Sequence, residues 1–134
     1  MPGTKAFFDT NVLLYLFSRD AAKAQQAEAL LEGGGLASVQ VLNEFVSVAR
    51  RKLSMSWADV REALDVFQSV LVIESLTTEA QHKAVEIAET HQLNIYDAQI
   101  LASALTAGCP IVYSEDMHAG LRLEGSTTVT NPFA

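Results

Sequence analysis

One stretch near the start of the chain limits the choice of fold more than any other. The short apolar run Ala6–Phe8 is typical of a buried parallel strand, and Asp9 follows it directly. Apolar residues at positions 12, 13 and 16 then recur at the spacing of one helix face. The stretch therefore predicts a strand that ends at Asp9 and a helix that begins near Asn11.

Asp9 and Asn11 have two competing explanations in this stretch. Both residue types are preferred caps at the start of a helix, so their role can be purely structural. Ligands of open α/β sheets, however, bind beyond the carboxyl ends of the strands, which is where Asp9 is expected to lie. The stretch by itself leaves the cap and the ligand site equally open.

The alternation of strands and helices continues along the whole chain. Four further strands are predicted at 36–38, 70–73, Ile111–Tyr113 and Thr127–Thr130, the last at an edge of the sheet. Segments with helical periodicity lie between the strands, and this alternation indicates a parallel sheet with helices on both faces. Because the 134 residues contain no linker or internal repeat, we expect a single domain over residues 1–134.

The glycine run Gly33-Gly34-Gly35 follows the second predicted helix. It lacks both the spacing and the lysine of a phosphate-binding loop. It is therefore interpreted as the turn that ends this helix.

The charge balance argues against one class of function. The chain has 9 Lys and Arg against 16 Asp and Glu, which gives a formal net charge of −7. Broad, sequence-independent binding to phosphate backbones needs a basic surface, which this chain lacks. Either the partners are not nucleic acids, or several acids are gathered in a site that holds cations.

The composition also bears on the compartment. No apolar run is long enough to span a bilayer, and the residues before the first strand leave no room for a signal peptide. The single cysteine, Cys109, excludes an internal disulfide and suits a reducing cytosol. We therefore expect a cytoplasmic protein with no membrane partner.

Four acids share a similar placement in the predicted elements. Asp9 and Asp116 follow strands, Asp97 lies in the first turn of a helix, and Glu44 lies early in the helix 39–52. If the strands that carry Asp9 and Asp116 are neighbours, all four carboxylates can meet in one crevice. Carboxylate oxygens suit Mg²⁺ or Mn²⁺, and clustered carboxylates repel each other strongly without a cation. Such an ion could bridge phosphate oxygens and activate water, which is phosphoryl-transfer chemistry without a protein nucleophile.

At these motifs the chain resembles the PIN-domain ribonucleases of the VapC toxin type, which belong to bacterial and archaeal type II toxin–antitoxin pairs. The resemblance extends over essentially the whole chain and includes the closing Asn131-Pro132-Phe133. The motifs that carry it are Phe8-Asp9-Thr10-Asn11-Val12-Leu13, Val41-Leu42-Asn43-Glu44-Phe45, Ile95-Tyr96-Asp97-Ala98-Gln99-Ile100-Leu101-Ala102 and Tyr113-Ser114-Glu115-Asp116.

The resemblance implies an α/β fold of three layers, with a central parallel five-stranded sheet of order 3-2-1-4-5 and helices on both faces. It also implies a Mg²⁺- or Mn²⁺-dependent endoribonuclease that cleaves RNA phosphodiesters by metal-activated water. A homodimer and a cognate antitoxin that blocks the site are further implications.

The resemblance also assigns roles to individual residues. By motif position, Asn11 and Ser114 are supporting polar residues. Glu115 adjoins the last acid of the pattern, and we prefer Asp116 as the one that faces the metal. The acids implied to be both catalytic and metal-binding are Asp9, Glu44, Asp97 and Asp116.

A chain with this charge has few cations with which to hold RNA. Those at 50–52 close a helix, where cations complement the helix dipole, so a structural role is at least as good an explanation for them. For the antitoxin, we expect an apolar groove near Tyr15, Leu30 and Trp57, and a basic side chain that reaches Asp9 and Asp97. The RNA-binding candidates are Arg19, Lys23, Arg50, Arg51 and Lys52.

Two alternatives to a nuclease remain at this point. The run Asp9-Thr10-Asn11-Val12 approaches the Asp-x-Asp-x-Thr/Val signature of haloacid-dehalogenase-type phosphatases, but Asn11 replaces the second aspartate and a convincing downstream lysine is lacking. The other alternative is a non-catalytic PIN-like interaction module. The retention of all four acids argues against it.

Overall fold

The computed structural model describes residues 5–117, 119–124 and 126–134. The N-terminal segment 1–4, which bears on the question of a signal peptide, lies outside the described residues. The strands are β1 (Ala6–Phe8), β2 (Gly35–Ser38), β3 (Leu71–Glu74), β4 (Ile111–Tyr113), β5 (Arg122–Leu123) and β6 (Thr127–Thr130). The helices are α1 (Thr10–Leu14), which continues as a 3₁₀ turn (Tyr15–Phe17), α2 (Ala21–Glu32), α3 (Val39–Arg51), α4 (Trp57–Val70), α5 (Thr78–His91) and α6 (Ile95–Thr106).

The described strands form one mostly parallel sheet of order β3-β2-β1-β4-β6-β5. Its five parallel strands have the predicted order, so the expected α/β fold is confirmed. The prediction that Thr127–Thr130 is the edge strand is wrong, because β5 pairs antiparallel with it. The sequence did not reveal β5, because a strand of two residues, Arg122–Leu123, cannot show an alternating pattern.

The first strand shows why both faces of the sheet are covered. Phe7 and Phe8 point to opposite faces because successive side chains alternate along a strand. Both are fully buried, so apolar layers of helices cover both sides. On one side, the Phe45 ring of α3 packs edge-on against Phe67 of α4, with ring centroids 4.9 Å apart.

The glycine run does more than end a helix. Gly33 is the C-cap of α2, but Gly35 is already the first residue of β2. Gly35 has a φ of +144°, and a Cβ at this position would lie 2.5 Å from the carbonyl oxygen of Ala6. Only glycine therefore allows β2 to approach β1 this closely. The predicted turn is correct at its start and one residue too long.

Three of the helices begin at residues whose side chains cap them. Ser38, Ser56 and Asn94 each accept a hydrogen bond from the backbone N–H three residues further along. They fix the starts of α3, α4 and α6. Among the helices that the structure describes, none has the length and apolar character needed to cross a bilayer.

Candidate functional site

The carboxyl ends of β1 and β4 lie side by side, since these strands pair in parallel with Phe8 opposite Tyr113. The backbone N–H of Asp9 donates to the Tyr113 carbonyl over 3.0 Å. A cavity of about 280 Å³ opens beyond this edge, and all four acids singled out in the sequence line it. The lining residues are Asp9, Thr10, Asn11, Leu14, Glu44, Ser47, Val48, Arg51, Asp97 and Asp116.

Asp9 is the most buried of these acids, with 5% of its surface exposed. Its Oδ1 caps α1 by accepting from the Thr10 N–H at 2.7 Å. Its Oδ2 accepts from the Ser114 hydroxyl at 2.6 Å and from the Asn11 amide at 3.2 Å. The cap and the cavity are thus two roles of one side chain, and both residues predicted to support the site contact it directly.

The environment of Asp9 makes its charge costly. Burial raises the pKa of Asp9 from 3.8 to about 6, and repulsion from Asp97 and Glu44 adds to this shift. The hydrogen bonds from Ser114 and Thr10 act in the opposite direction, because they favour the ionised form. Among the residues that the structure describes, none contributes a positive charge that lowers the pKa of Asp9.

Glu44 is held at both carboxylate oxygens. The Thr10 hydroxyl donates to Oε2 at 2.8 Å, and the Gln40 amide donates to Oε1 at 3.0 Å. Gln40 also donates to the backbone carbonyl of Tyr96 at 3.0 Å, which links α3 to the start of α6. The sequence analysis missed Thr10 and Gln40. The four-residue spacing between Gln40 and Glu44 places them on one helix face and is the signal that could have revealed this contact.

Asp97 also combines a structural and a site position. Its backbone N–H donates to the Asn94 side-chain oxygen at 2.9 Å, and the Asn94 amide donates back to the Asp97 carboxylate at 3.0 Å. Burial is the main reason why the pKa of Asp97 is raised, and repulsion from Glu44 and Asp116 contributes. The contact with Asn94 opposes the shift.

The structure separates the two neighbouring acids Glu115 and Asp116. Asp116 lines the carboxylate cavity. The Glu115 carboxylate instead accepts hydrogen bonds from the Tyr15 hydroxyl and from Lys23 Nζ, the latter at 3.2 Å. The geometry therefore agrees with the preference for Asp116 as the acid that faces the site.

Comparison with known proteins places this arrangement in a family. The family model of the PIN domain matches residues 6–119 of the chain. The chain belongs to the PIN domain family. The resemblance drawn from the four motifs is therefore confirmed, and the phosphatase alternative based on Asp9 and Asn11 falls away.

Several solved structures superpose on most of the chain. A toxin–antitoxin complex from Klebsiella pneumoniae gives a TM-score of 0.72 at 21% identity, over 96% of this chain and 98% of that one. A VapC toxin of Mycobacterium tuberculosis that cleaves the sarcin–ricin loop gives 0.67 at 22% identity, over 84% and 90%. DNA-bound VapBC from Salmonella typhimurium gives 0.70 at 18% identity, over 97% and 99%. These likenesses establish the PIN fold, whereas no curated protein has significant similarity to the chain.

The donor atoms of this PIN cavity suit a hard divalent cation. Within residues 5–117, 119–124 and 126–134, no three His, Cys, Asp or Glu side chains are already grouped at metal-ligand geometry. The cavity nevertheless presents carboxylate oxygens. Burial is the main cause of the raised pKa of Asp9 and Asp97, and mutual repulsion of the carboxylates adds to it. A bound Mg²⁺ or Mn²⁺ would relieve this repulsion. The residues that would hold it are Asp9, Glu44, Asp97 and Asp116.

The candidate RNA-binding cations occupy different surroundings in the PIN domain. Arg51 lines the carboxylate cavity and donates to the Ser47 hydroxyl at 3.2 Å. Arg50 instead lies 4.5 Å from the centre of the Trp57 ring. Lys52 lines a separate apolar cavity, and Arg19 is exposed beyond the 3₁₀ turn. Lys23 is paired with Glu115 and does not line the carboxylate cavity, so its contacts favour a structural role over RNA binding. Arg51 is therefore the best placed of these side chains to meet a phosphate at the acids.

The raised pKa of Asp9 predicts a pH-dependent stability. Protonated Asp9 stabilises the fold below about pH 4, and this stabilisation is lost as the pH rises through about 6. The difference between 3.8 and about 6 corresponds to about 3 kcal/mol at about 1.4 kcal/mol per pH unit. In EDTA, Asp9→Asn should therefore be more stable than the parent by up to about 3 kcal/mol at pH 8, and nearly equal at pH 4.

Urea unfolding of parent and variant at several pH values measures this difference. Adding Mn²⁺ at pH 8 should stabilise the parent more than the variant, because the ion binds the ionised carboxylate. A difference between the two proteins that stays constant from pH 4 to pH 8 would contradict the assignment of the shift to Asp9.

Proposed function

We propose that this PIN domain is a Mg²⁺- or Mn²⁺-dependent endoribonuclease and the toxin of a toxin–antitoxin pair. The observation that supports the activity most directly is the convergence of Asp9, Glu44, Asp97 and Asp116 on one cavity. Hydrogen bonds from Thr10, Gln40, Ser114 and Asn94 hold three of these acids in place rather than neutralising them. An enzyme that acts on cellular RNA would work in the cytoplasm.

In the proposed reaction the ion and the side chains have different roles. When bound, the divalent ion would polarise a phosphate oxygen and lower the pKa of water at the scissile bond. Asp9 and Asp97 would supply the negative charge that holds the ion, and Glu44 is held by Thr10 and Gln40 with both oxygens fixed. Arg51, at the wall of the same cavity, is placed to contact a phosphate of the RNA backbone.

The test is cleavage of a labelled single-stranded RNA by the purified chain. Cleavage should require Mg²⁺ or Mn²⁺, stop in EDTA and return when the ion is restored. Ca²⁺ is the matched negative ion, because its longer and more flexible coordination suits these sites less well. A chain that binds RNA but leaves it intact with both Mg²⁺ and Mn²⁺ would support the non-catalytic interaction module instead.

Arg51 provides a prediction about RNA binding. In an Asp97→Asn background, which prevents cleavage, Arg51→Ala should weaken RNA binding and flatten the dependence of log K on log salt by about 0.7 to 1. Arg50→Ala is the matched control, because Arg50 is the adjacent residue and contacts Trp57 and the Met55 carbonyl instead. If the two substitutions change the slope equally, Arg51 has no special contact with phosphate.

The antitoxin would dock in an apolar groove beside the carboxylate cavity. Two adjoining cavities of about 380 and 210 Å³ share Phe17. Asp59 and Glu62 lie at the wall of the larger one, so an amphipathic helix with basic flanks is the complementary partner. The apolar lining consists of Leu14, Leu16, Phe17, Val48, Leu53, Met55, Ala63, Val66 and Phe67.

The groove differs in detail from the one expected from the sequence. Tyr15 lines its smaller cavity. Leu30 is half-buried against the core, and Trp57 is 53% exposed beneath Arg50. Two of the three residues proposed from the sequence therefore lie outside the groove.

We also propose a homodimer, which the family resemblance implies. Several large apolar side chains outside the groove are exposed and are candidates for a subunit contact. Light scattering on the purified chain determines the oligomeric state, and a monomer at micromolar concentration would exclude a stable dimer. The exposed side chains are Val72, Leu76, Val85, Ile95 and Tyr96.

A further inference from the structure

Of the four acids, Asp116 has the least support from a strand or a helix. It is exposed and lies in a turn after β4, whereas Asp9 directly follows a central strand and Glu44 and Asp97 belong to helices. The conformation of this turn therefore depends more than the rest of the cavity wall on contacts with other segments of the chain.

One side of this turn is tied to β1 and α1. The Ser114 hydroxyl donates to Asp9 and accepts from the backbone N–H groups of Asp116 and Met117 at 3.2 and 3.3 Å. The Glu115 N–H donates to the Asn11 side-chain oxygen at 3.2 Å. These contacts fix the backbone at the inner side of the turn.

The other side is tied by the Glu115 side chain. Lys23 Nζ of α2 lies 3.2 Å from one carboxylate oxygen of Glu115, and the Tyr15 hydroxyl donates to the other. Lys23 Nζ is also 3.3 Å from the Tyr15 oxygen and 4.6 Å from the centre of the Tyr15 ring. Phe133 closes this cluster, with its ring edge-on to Tyr15 at 4.7 Å between centroids. The Glu115 carboxylate thus connects the turn to Tyr15 and Lys23, and Phe133 packs against Tyr15 behind them.

We propose that Tyr15 and Lys23 are positioning residues for Asp116. By holding Glu115 they fix the turn so that Asp116 faces the other acids, and they keep a further carboxylate out of the cavity. This inference rests on the proposed function, namely that the four acids hold a divalent ion. Outer residues that orient metal ligands typically change affinity for the ion by about 10- to 100-fold when they are removed.

Tyr15→Phe and Lys23→Met test the proposal. Tyr15→Phe keeps the ring that packs on Phe133 and removes only the hydroxyl. Lys83→Met is the control, because Lys83 also bridges two carboxylates, Glu86 and Glu124, but does so away from the cavity. The affinity for Mn²⁺ is measured calorimetrically without RNA, together with the melting temperature in EDTA and kcat and KM for RNA cleavage.

For Tyr15→Phe and Lys23→Met we expect the Kd of Mn²⁺ to rise about tenfold or more, with a melting temperature in EDTA close to that of the parent. In limiting Mn²⁺ kcat should fall while KM for RNA stays unchanged, and excess Mn²⁺ should restore the rate. Tyr15→Phe combined with Glu115→Ala should be no worse than Glu115→Ala alone, because Glu115→Ala already removes the acceptor of the Tyr15 hydroxyl. Lys83→Met should leave the affinity for Mn²⁺ unchanged.

Two results would overturn the positioning role and point to different faults. If the parent binds Mn²⁺ and cleaves RNA, and both variants bind Mn²⁺ as tightly as the parent, only the positioning role fails. If the parent neither binds Mn²⁺ nor cleaves RNA, the proposed function fails and the positioning role fails with it.

Discussion

Asp97→Asn is expected to lower the rate of RNA cleavage by at least about 100-fold while leaving the fold intact. The substitution removes one negative charge from the cavity but keeps the shape of the side chain. The Asn94 cap should survive the substitution. The Asn94 side-chain oxygen accepts from the backbone N–H of residue 97, which does not change, and the side-chain oxygen of the new asparagine can still accept from the Asn94 amide. The loss would therefore come from the site and not from the helix.

Asp59→Asn is the matched control for this experiment. Asp59 holds the same position in α4, where its backbone N–H donates to the cap residue Ser56. Both substitutions remove a similar favourable interaction with the helix dipole, worth about 0.3 to 1 kcal/mol. Asp97→Asn also relieves the burial and repulsion that raise the pKa of Asp97, so it should not be the less stable of the two. Only Asp97→Asn should affect cleavage and the affinity for Mn²⁺. Full Mg²⁺-dependent activity in Asp97→Asn would show that the four acids are not the catalytic site.

The sequence was sufficient for these four positions because each lies where regular structure places it. A buried strand followed by an acid puts Asp9 at the end of β1, and a capped helix start puts Asp97 in a first turn. The pairing of β1 with β4 then brings Asp9 and Asp116 to one edge of the sheet. Periodicity and caps are local signals that place each acid in its element, and the parallel topology then brings the elements together.

Contacts between distant segments could not be read in the same way. The attachment of Glu115 to Tyr15 and Lys23 joins residues about 100 and 92 positions apart. Nothing in the local pattern distinguishes Lys23 from any other lysine on an exposed helix face. The same holds for Gln40 and Tyr96, since their contact depends on how α3 and α6 approach each other.

The apolar groove is a second feature that the local sequence pattern could not predict. Trp57 was a reasonable choice in the sequence, because large aromatic residues often anchor interfaces. In the structure the Arg50 guanidinium lies over the Trp57 ring, and the groove is centred on Phe17 instead. Which apolar residue remains available for a partner depends on side-chain packing, and hydrophobic periodicity does not contain that information.

A second large effect is expected from the partner protein. Co-expression with the product of the neighbouring gene should give a stable complex in which RNA cleavage is suppressed, because four clustered carboxylates without a cation attract a basic side chain. Val66→Glu should weaken this complex by more than about tenfold, since it puts a charge into the apolar wall of the groove. Cleavage by free Val66→Glu should equal that of the parent, so cells that co-express the partner should no longer be protected.

Val85→Glu is the control, because Val85 lies on a helix outside the groove with 49% of its surface exposed, against 47% for Val66. Since Val85 is also a candidate subunit contact, light scattering first establishes that this variant keeps the oligomeric state of the parent. It should bind the partner as the parent does. Equal weakening by both substitutions would mean that the partner does not use the groove. A complex that forms but leaves cleavage undiminished, or the absence of any complex, would count against the toxin role and leave the nuclease intact. The two roles are separable at Val66, because the larger groove cavity shares no lining residue with the carboxylate cavity, whereas the smaller one shares Leu14 and Val48 with it.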